Sequence, residues 1–168
     1  MSKLTALALS IAVLGGVWAF LAFHTPLSAA ALVWVGFIAW GCYFAAGADN
    51  AALQKTIAGM AFGAVMAGIA LYLVGSHMFD GLGSLGIPVI IAITVFPLVI
   101  VAGCNMLSVV PANVYGYAAT AGYALSKADA GSVTAMDMSN PVLLVIVSTV
   151  LGAVFGMVSG KLAGALGK

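Results

Sequence analysis

Charge is what this chain has least of. Its 168 residues include five lysines and four aspartates, with no arginine and no glutamate. Lys3, Asp49, Lys55, Asp80, Lys127, Asp129, Asp137, Lys161 and Lys168 stand at the ends of, or in the gaps between, long runs of Ala, Val, Leu, Ile, Gly and Phe. So few basic groups exclude nucleic acid as a partner, because phosphate binding needs a clustered positive surface. The sequence also lacks a Gly-rich phosphate loop, a His/Cys metal spacing and a nucleophile beside a base. Neither enzymatic activity nor a cofactor or metal is expected. Both cysteines, Cys42 and Cys104, sit in or near apolar segments, where a thiol acts as a small hydrophobe. They are expected to be free.

What remains is apolar, with a mean hydropathy of +1.24. Runs of about 18 or more apolar residues read as membrane spans, since a buried charge costs roughly 2.5–3.5 kcal/mol on insertion scales. Leu4 to Phe23, Leu27 to Gly47, Thr56 to Val74 and Pro141 to Gly160 are such runs, and the uncharged block 86–125 holds the rest. Backbone in lipid must satisfy its own hydrogen bonds, so the expected fold is all-α, a polytopic membrane helix bundle. Hydrophobic segments reach from end to end, giving one transmembrane domain over residues 1–168 with the lipid bilayer as its first partner. The first run is too long for a signal peptide and lacks a small-x-small cleavage site, so it is taken as a span.

Block 86–125 decides the topology. As one helix it would reach about 60 Å, twice a hydrocarbon core. Pro88, Pro97 and Pro111 supply interruptions, so a broken or re-entrant helix pair is expected there. Two crossings give about six spans, with Lys3, Lys55, Lys161 and Lys168 on one side and Lys127 on the other; one crossing splits the lysines more evenly. The positive-inside rule favours six spans with both termini cytoplasmic. Asp80, Asp129 and Asp137 then face outward. Ser139 and Asn140 offer caps and Pro141 suits the first turn of the last helix. The stretch 126–140, with Gly131, reads as an exposed loop.

Two patterns are candidates for function. Ser148, Gly152, Gly156, Gly160 and Gly164 recur every fourth residue, a face that permits close helix packing either within one subunit or at a subunit interface of a homo-oligomer. Gly59, Gly63 and Ala67 repeat the theme in the third span. The second pattern is polar: Cys104, Asn105, Ser108, Pro111, Asn113, Tyr115, Tyr117 and Thr120 all fall in the block that must be irregular. Deep polar groups are costly unless paired or wetted. Asn105, Ser108, Pro111, Asn113, Tyr117 and Thr120 are therefore candidates to line a solute pathway, the alternative being hydrogen bonds that fix the bundle. His24 and His77 fall in outer loops and are candidates for pH sensing, or simply surface residues. No ionisable residue occupies a span interior, which argues against ion-coupled transport.

Trp34, Gly36 and Phe37 followed by Tyr43-Phe44-Ala45, and Leu107-Ser108 with Pro111 and the small-residue helix behind it, resemble the bacterial inner-membrane proteins grouped as domain of unknown function 1097. The resemblance extends in length and span layout over nearly the whole chain. It implies a small multi-span inner-membrane protein and no catalytic residues; the surroundings of Asn105 and Asn113 depart from the pattern. The size and broken hairpin are also similar, at fold level alone, to half of a urea-transporter-type channel. The function expected is a homo-oligomeric channel or facilitator for a small polar, neutral solute. The rival is a non-transporting membrane subunit, a solute-binding component or an assembly scaffold that needs a partner protein.

Overall fold

The computed structural model describes residues 1–127 and 132–168; the positions of Asp129 and Gly131 lie outside them. The described residues form six α-helices and no strand: α1 Lys3–His24, α2 Val33–Ala45, α3 Asn50–Gly75, α4 Gly86–Ile100, α5 Val110–Ser126 and α6 Pro141–Leu166. This is an all-α bundle of membrane type. Four segments are long and apolar enough to cross a membrane: α1, α3, α6, and α4 with its flanking 3-10 turns over Asp80–Gly103.

The short helices differ from the expected spans for local reasons. α2 has 13 residues, about 20 Å, less than a hydrocarbon core of about 30 Å. Thr25 caps a 3-10 turn over Pro26–Ala29, and the chain stays extended at Leu32 before the helix starts. The break in block 86–125 falls ahead of Pro111, not at it. Val101–Gly103 and Asn105–Leu107 are 3-10 turns separated by an extended Cys104. Pro111 then sits in the first turn of α5, where a missing N–H leaves no bond unmade.

Successive helices reverse direction. The Lys168 N–H donates to the Met1 carbonyl at 3.1 Å, so both ends of the described chain lie at one end of the bundle, here called proximal. The α2–α3 turn is also proximal, made by Gly47 at φ +121° and Ala48 at φ +58° and tied by the Tyr43 hydroxyl to the Ala48 carbonyl at 2.6 Å. Asp49 caps α3 through the Ala52 N–H at 2.7 Å. At the distal end Asn140 caps α6 through the Val142 N–H and donates to the Val133 and Ala135 carbonyls. Hydrogen bonds from the Ser139 side chain and backbone hold the Asp137 carboxyl below its usual range.

α3 and α6 cross at the centre. α5 packs along α3 and α2 along α6, each running parallel to its neighbour, while α1 lies outside α6 and α4 outside α3. Val35, Ala39, Met60, Ala64, Val145 and Ala153 fill the middle. Trp18 packs beside Phe155 with its Nε1–H on the Val33 carbonyl at 3.1 Å. Large apolar side chains such as Leu4, Phe20, Ile87 and Phe96 stay exposed on the perimeter, as expected where the solvent is lipid.

Candidate functional site: the seam between α3 and α5

Asn113, Gly116 and Thr120 lie on one face of α5, the spacing of three and four residues placing them on successive turns. All three are buried, Asn113 and Gly116 directly against α3. The approach is of backbone on backbone. A Cβ at Gly63 would fall on the Asn113 carbonyl oxygen, and one at Gly116 on the Met60 carbonyl. Only glycine permits this distance at both positions.

Asn113 ties the interrupted segment together. Its Nδ2 donates to the Leu98 carbonyl at 2.8 Å, in the last turn of α4, and to the Leu107 carbonyl at 3.1 Å, in the turn ahead of α5. One amide thus satisfies two carbonyls that the broken helix leaves without helical partners. Its Oδ1 has no partner and lies over Gly59, where a Cβ would stand 2.7 Å away. The Thr120 Oγ1, two turns further along the same face, is likewise buried and unpartnered.

Tyr117 turns towards α4, its hydroxyl 3.0 Å from Thr94 Oγ1, which also donates to the Ile90 carbonyl at 2.8 Å. Thr94 lies outside the residues that spacing picks out. A lone threonine among Ile, Val and Phe was the available signal, since any polar group at that depth needs a partner. Asn105 and Ser108 do not join the cluster: they pair with each other in the proximal turn, Ser108 Oγ to the Asn105 carbonyl at 2.8 Å, with Asn105 exposed. Pro111 is exposed at the start of α5.

The glycine face of α6 is graded along its length. Ser148 Oγ accepts the Leu32 N–H at 2.8 Å and donates to the Leu144 carbonyl. A Cβ at Gly152 would fall on the Gly36 backbone; at Gly156 it would meet the Tyr43 and Trp40 rings at 3.0 and 3.1 Å. At Gly160 it would make ordinary contact with Phe44 at 3.7 Å and the Tyr43 hydroxyl at 3.9 Å, and at Gly164 it would meet nothing within 4 Å. Trp40 Nε1–H donates to Ser159 Oγ at 2.9 Å beside this face. The upper part of the stripe is therefore occupied by α2 of the same chain.

His24 ends α1, its ring against Phe20, and His77 meets Asp80 at 2.9 Å on the distal surface, at φ +56°. Neither touches the α5 face. Cys42 is buried and accepts from Thr56 at 3.8 Å; Cys104 is exposed. Clefts open at the periphery: about 420 Å³ at the distal end between α3, α5 and Ser132–Thr134, about 290 Å³ at the proximal end beside Phe44, Gly160 and Gly164, and about 320 Å³ between α2 and Tyr115.

Apolar helices of spanning length around a packed interior are those of a polytopic membrane protein. Over residues 8–164 the chain matches the family described as Protein of unknown function (DUF1097), and it belongs to that family. No curated protein and no solved structure matches it.

Proposed function

We propose that the protein is a facilitator for a small, uncharged polar solute and that it works as a homo-oligomer in the inner membrane. The observation that carries this reading is the pair of unpartnered buried oxygens, Asn113 Oδ1 and Thr120 Oγ1, on one face of α5. An unmade hydrogen bond at a buried acceptor costs about 1–3 kcal/mol. A passing solute with N–H or O–H groups would make those bonds for the time of its passage. Hydroxyl and carboxamide groups replace water without imposing charge, and α5 carries no Asp, Glu, Lys, Arg or His, so the solute is taken to be neutral. Lys3, Lys55, Lys161 and Lys168 belong to the proximal end, which by the positive-inside rule is the cytoplasmic one.

Thr120→Val tests the reading cleanly. Valine keeps the shape, and the oxygen it removes bonds nothing in the fold, so thermal stability in detergent should hold. Flux of the transported solute into liposomes should drop about tenfold, the equivalent of about 1.4 kcal/mol. The assay compares wild type, variant and empty vesicles over small amides, alcohols, short acids and ions. Flux at the empty-vesicle level for every solute would favour the non-transporting subunit. Robust flux that ignores the substitution would move the route elsewhere.

Tyr115 supports the oligomer. It lies in the second turn of α5, near the middle of the bundle, 40% exposed, and its hydroxyl makes no hydrogen bond among the described residues. A phenol facing lipid at that depth is costly, and a second copy laid over the α2–α5 face would cover it. Gly41 on this face has open space around it. Gly41→Cys, with Cys42→Ala and Cys104→Ser, should give a disulfide-linked dimer on oxidation in membranes. A monomer under oxidation, together with a monomeric mass in detergent, would remove the oligomer from the proposal.

A further inference from the structure

The two halves of the chain, α1–α3 and α4–α6, repeat one another upside down. The first half runs away from, towards and away from the proximal end; the second runs the other way at each step. Partners exchange accordingly: α5 packs along α3 as α2 packs along α6, and α4 covers α3 as α1 covers α6. The register holds residue by residue. One constant shift carries Gly59, Gly63 and Ala67 of α3 onto Ser148, Gly152 and Gly156 of α6. Another carries Gly36, Ala39 and Tyr43 of α2 onto Asn113, Gly116 and Thr120 of α5, and takes Leu32, which precedes α2, onto Val109, which precedes α5. Every buried position of α2 falls on a buried or half-buried position of α5. Met60 and Thr149 correspond under the first shift and touch each other, Oγ1 to sulfur at 4.0 Å, as a residue pair on a two-fold axis must.

The same shift relates the clefts at opposite ends. Leu71 and Gly75, which line the distal cleft of about 420 Å³ beside Ala124, fall on Gly160 and Gly164, which line the proximal cleft of about 290 Å³ beside Phe44. Each short helix is pinned at its beginning, α5 by Asn113 to the carbonyls of Leu98 and Leu107, α2 by the Leu32 N–H to Ser148. Each seam then loosens towards its cleft.

We infer that the two clefts are the two mouths of one solute route, the α3–α5 seam opening to the distal face and the α2–α6 seam to the proximal face, one closing as the other opens. The inference rests on the proposed transport of a small neutral solute and adds where that solute enters and leaves. α3 and α6 bear on each other at the axis, so a tilt of one half that spreads one seam tightens its counterpart. Packed seams have discrete arrangements, not a continuum, and inverted repeats lend themselves to rocking of this kind around a central site. The buried Thr120 oxygen lies in the first seam and Ser159 in the second, each on the mouth side.

The test uses the full chain in oriented membrane vesicles, with Cys42→Ala and Cys104→Ser, and a membrane-impermeant maleimide. Thr120→Cys should react with reagent on the distal face only, Ser159→Cys with reagent on the proximal face only, and Thr149→Cys at the axis with neither. Tying Gly75→Cys to Ala124→Cys with a short bifunctional maleimide should raise the labelling rate of Ser159→Cys about tenfold. Labelling of both probes from one face, labelling no faster than at Thr149→Cys, or a rate at Ser159→Cys that the tie leaves alone or lowers would each overturn the inference. Should Ser159→Cys fail to fold, Gly160→Cys, half-buried beside Phe44 at the proximal mouth, takes its place with the same expectations. Labelling needs no known solute, so the two readings separate. Sided, coupled labelling without flux would leave the two mouths standing and remove the transported solute; flux without sided labelling would do the reverse.

Discussion

Asn113→Leu should lower stability by about 2–6 kcal/mol, because it leaves the Leu98 and Leu107 carbonyls unpaired in a buried to part-buried site at about 1–3 kcal/mol each. Leucine branches at Cγ as asparagine does, so the outline of the side chain is kept while both hydrogen bonds are lost, although its methyl groups are bulkier than the amide oxygen and nitrogen. The branched end must also find room over Gly59. Thermal unfolding in detergent should show the midpoint falling by roughly 5–15 °C for a chain of this length. The comparison with Thr120→Val makes the measurement diagnostic. Both residues are fully buried on one face of α5, yet Asn113 supports the fold through two bonds whereas the Thr120 oxygen supports nothing in it. Equal stability for Asn113→Leu and wild type would mean that the interrupted segment does not depend on the amide.

Gly63→Ala should be worse still, although it adds one carbon. That carbon would coincide with the Asn113 carbonyl oxygen and crowd the Tyr117 N–H. Backbone cannot move aside by changing rotamer, so α3 and α5 must separate along their length. Overpacking in a core costs about 1–3 kcal/mol when side chains can adjust; here they cannot, and loss of folded protein is expected. Gly116→Ala and Gly152→Ala meet backbone in the same way. Gly164→Ala is the control: its Cβ meets nothing within 4 Å, and alanine is favoured over glycine in a helix by about 1 kcal/mol. Yield and thermal midpoint of the four variants, measured side by side, check the gradient. A well-folded Gly63→Ala protein would show that the α3–α5 crossing is looser than described.

Much of the fold was legible because hydropathy windows respond to length and charge. They locate α1, α3 and α6 well, and the capping chemistry of Ser139-Asn140-Pro141 places the start of α6 at the right residue. They mislead at Leu27 to Gly47, where the first part of an apolar run is a 3-10 turn and extended chain, because averaging apolar character says nothing about where backbone hydrogen bonds go. The break in block 86–125 was predictable from length, but its position was not. Proline reads as an interruption, yet Pro111 stands where a helix tolerates it best, and the chain turns at Cys104 for want of continued helical bonding. Spacing alone places Asn113, Gly116 and Thr120 on one face. What they face, and that Asn105 and Ser108 turn away, depends on α3 arriving from another part of the chain. The inverted repeat left one trace, Gly63-Ala64-Val65 returning as Gly152-Ala153-Val154. Among 21 glycines such a match carries no weight until the packing is seen.

α2 spans about 20 Å and has its principal partner in α6, with three helices between them in the chain. A helix so short has little claim on the hydrocarbon by itself, and its partner is made only after α3, α4 and α5. During synthesis α2 must therefore wait, held at the interface or by the insertion machinery, until residues 141–166 emerge. Membrane quality control would meet every unfinished chain with one helix unplaced. Substitutions that weaken the Gly36–Gly152 crossing should for that reason lower the amount of protein in cells more steeply than their effect on the purified, fully assembled bundle suggests.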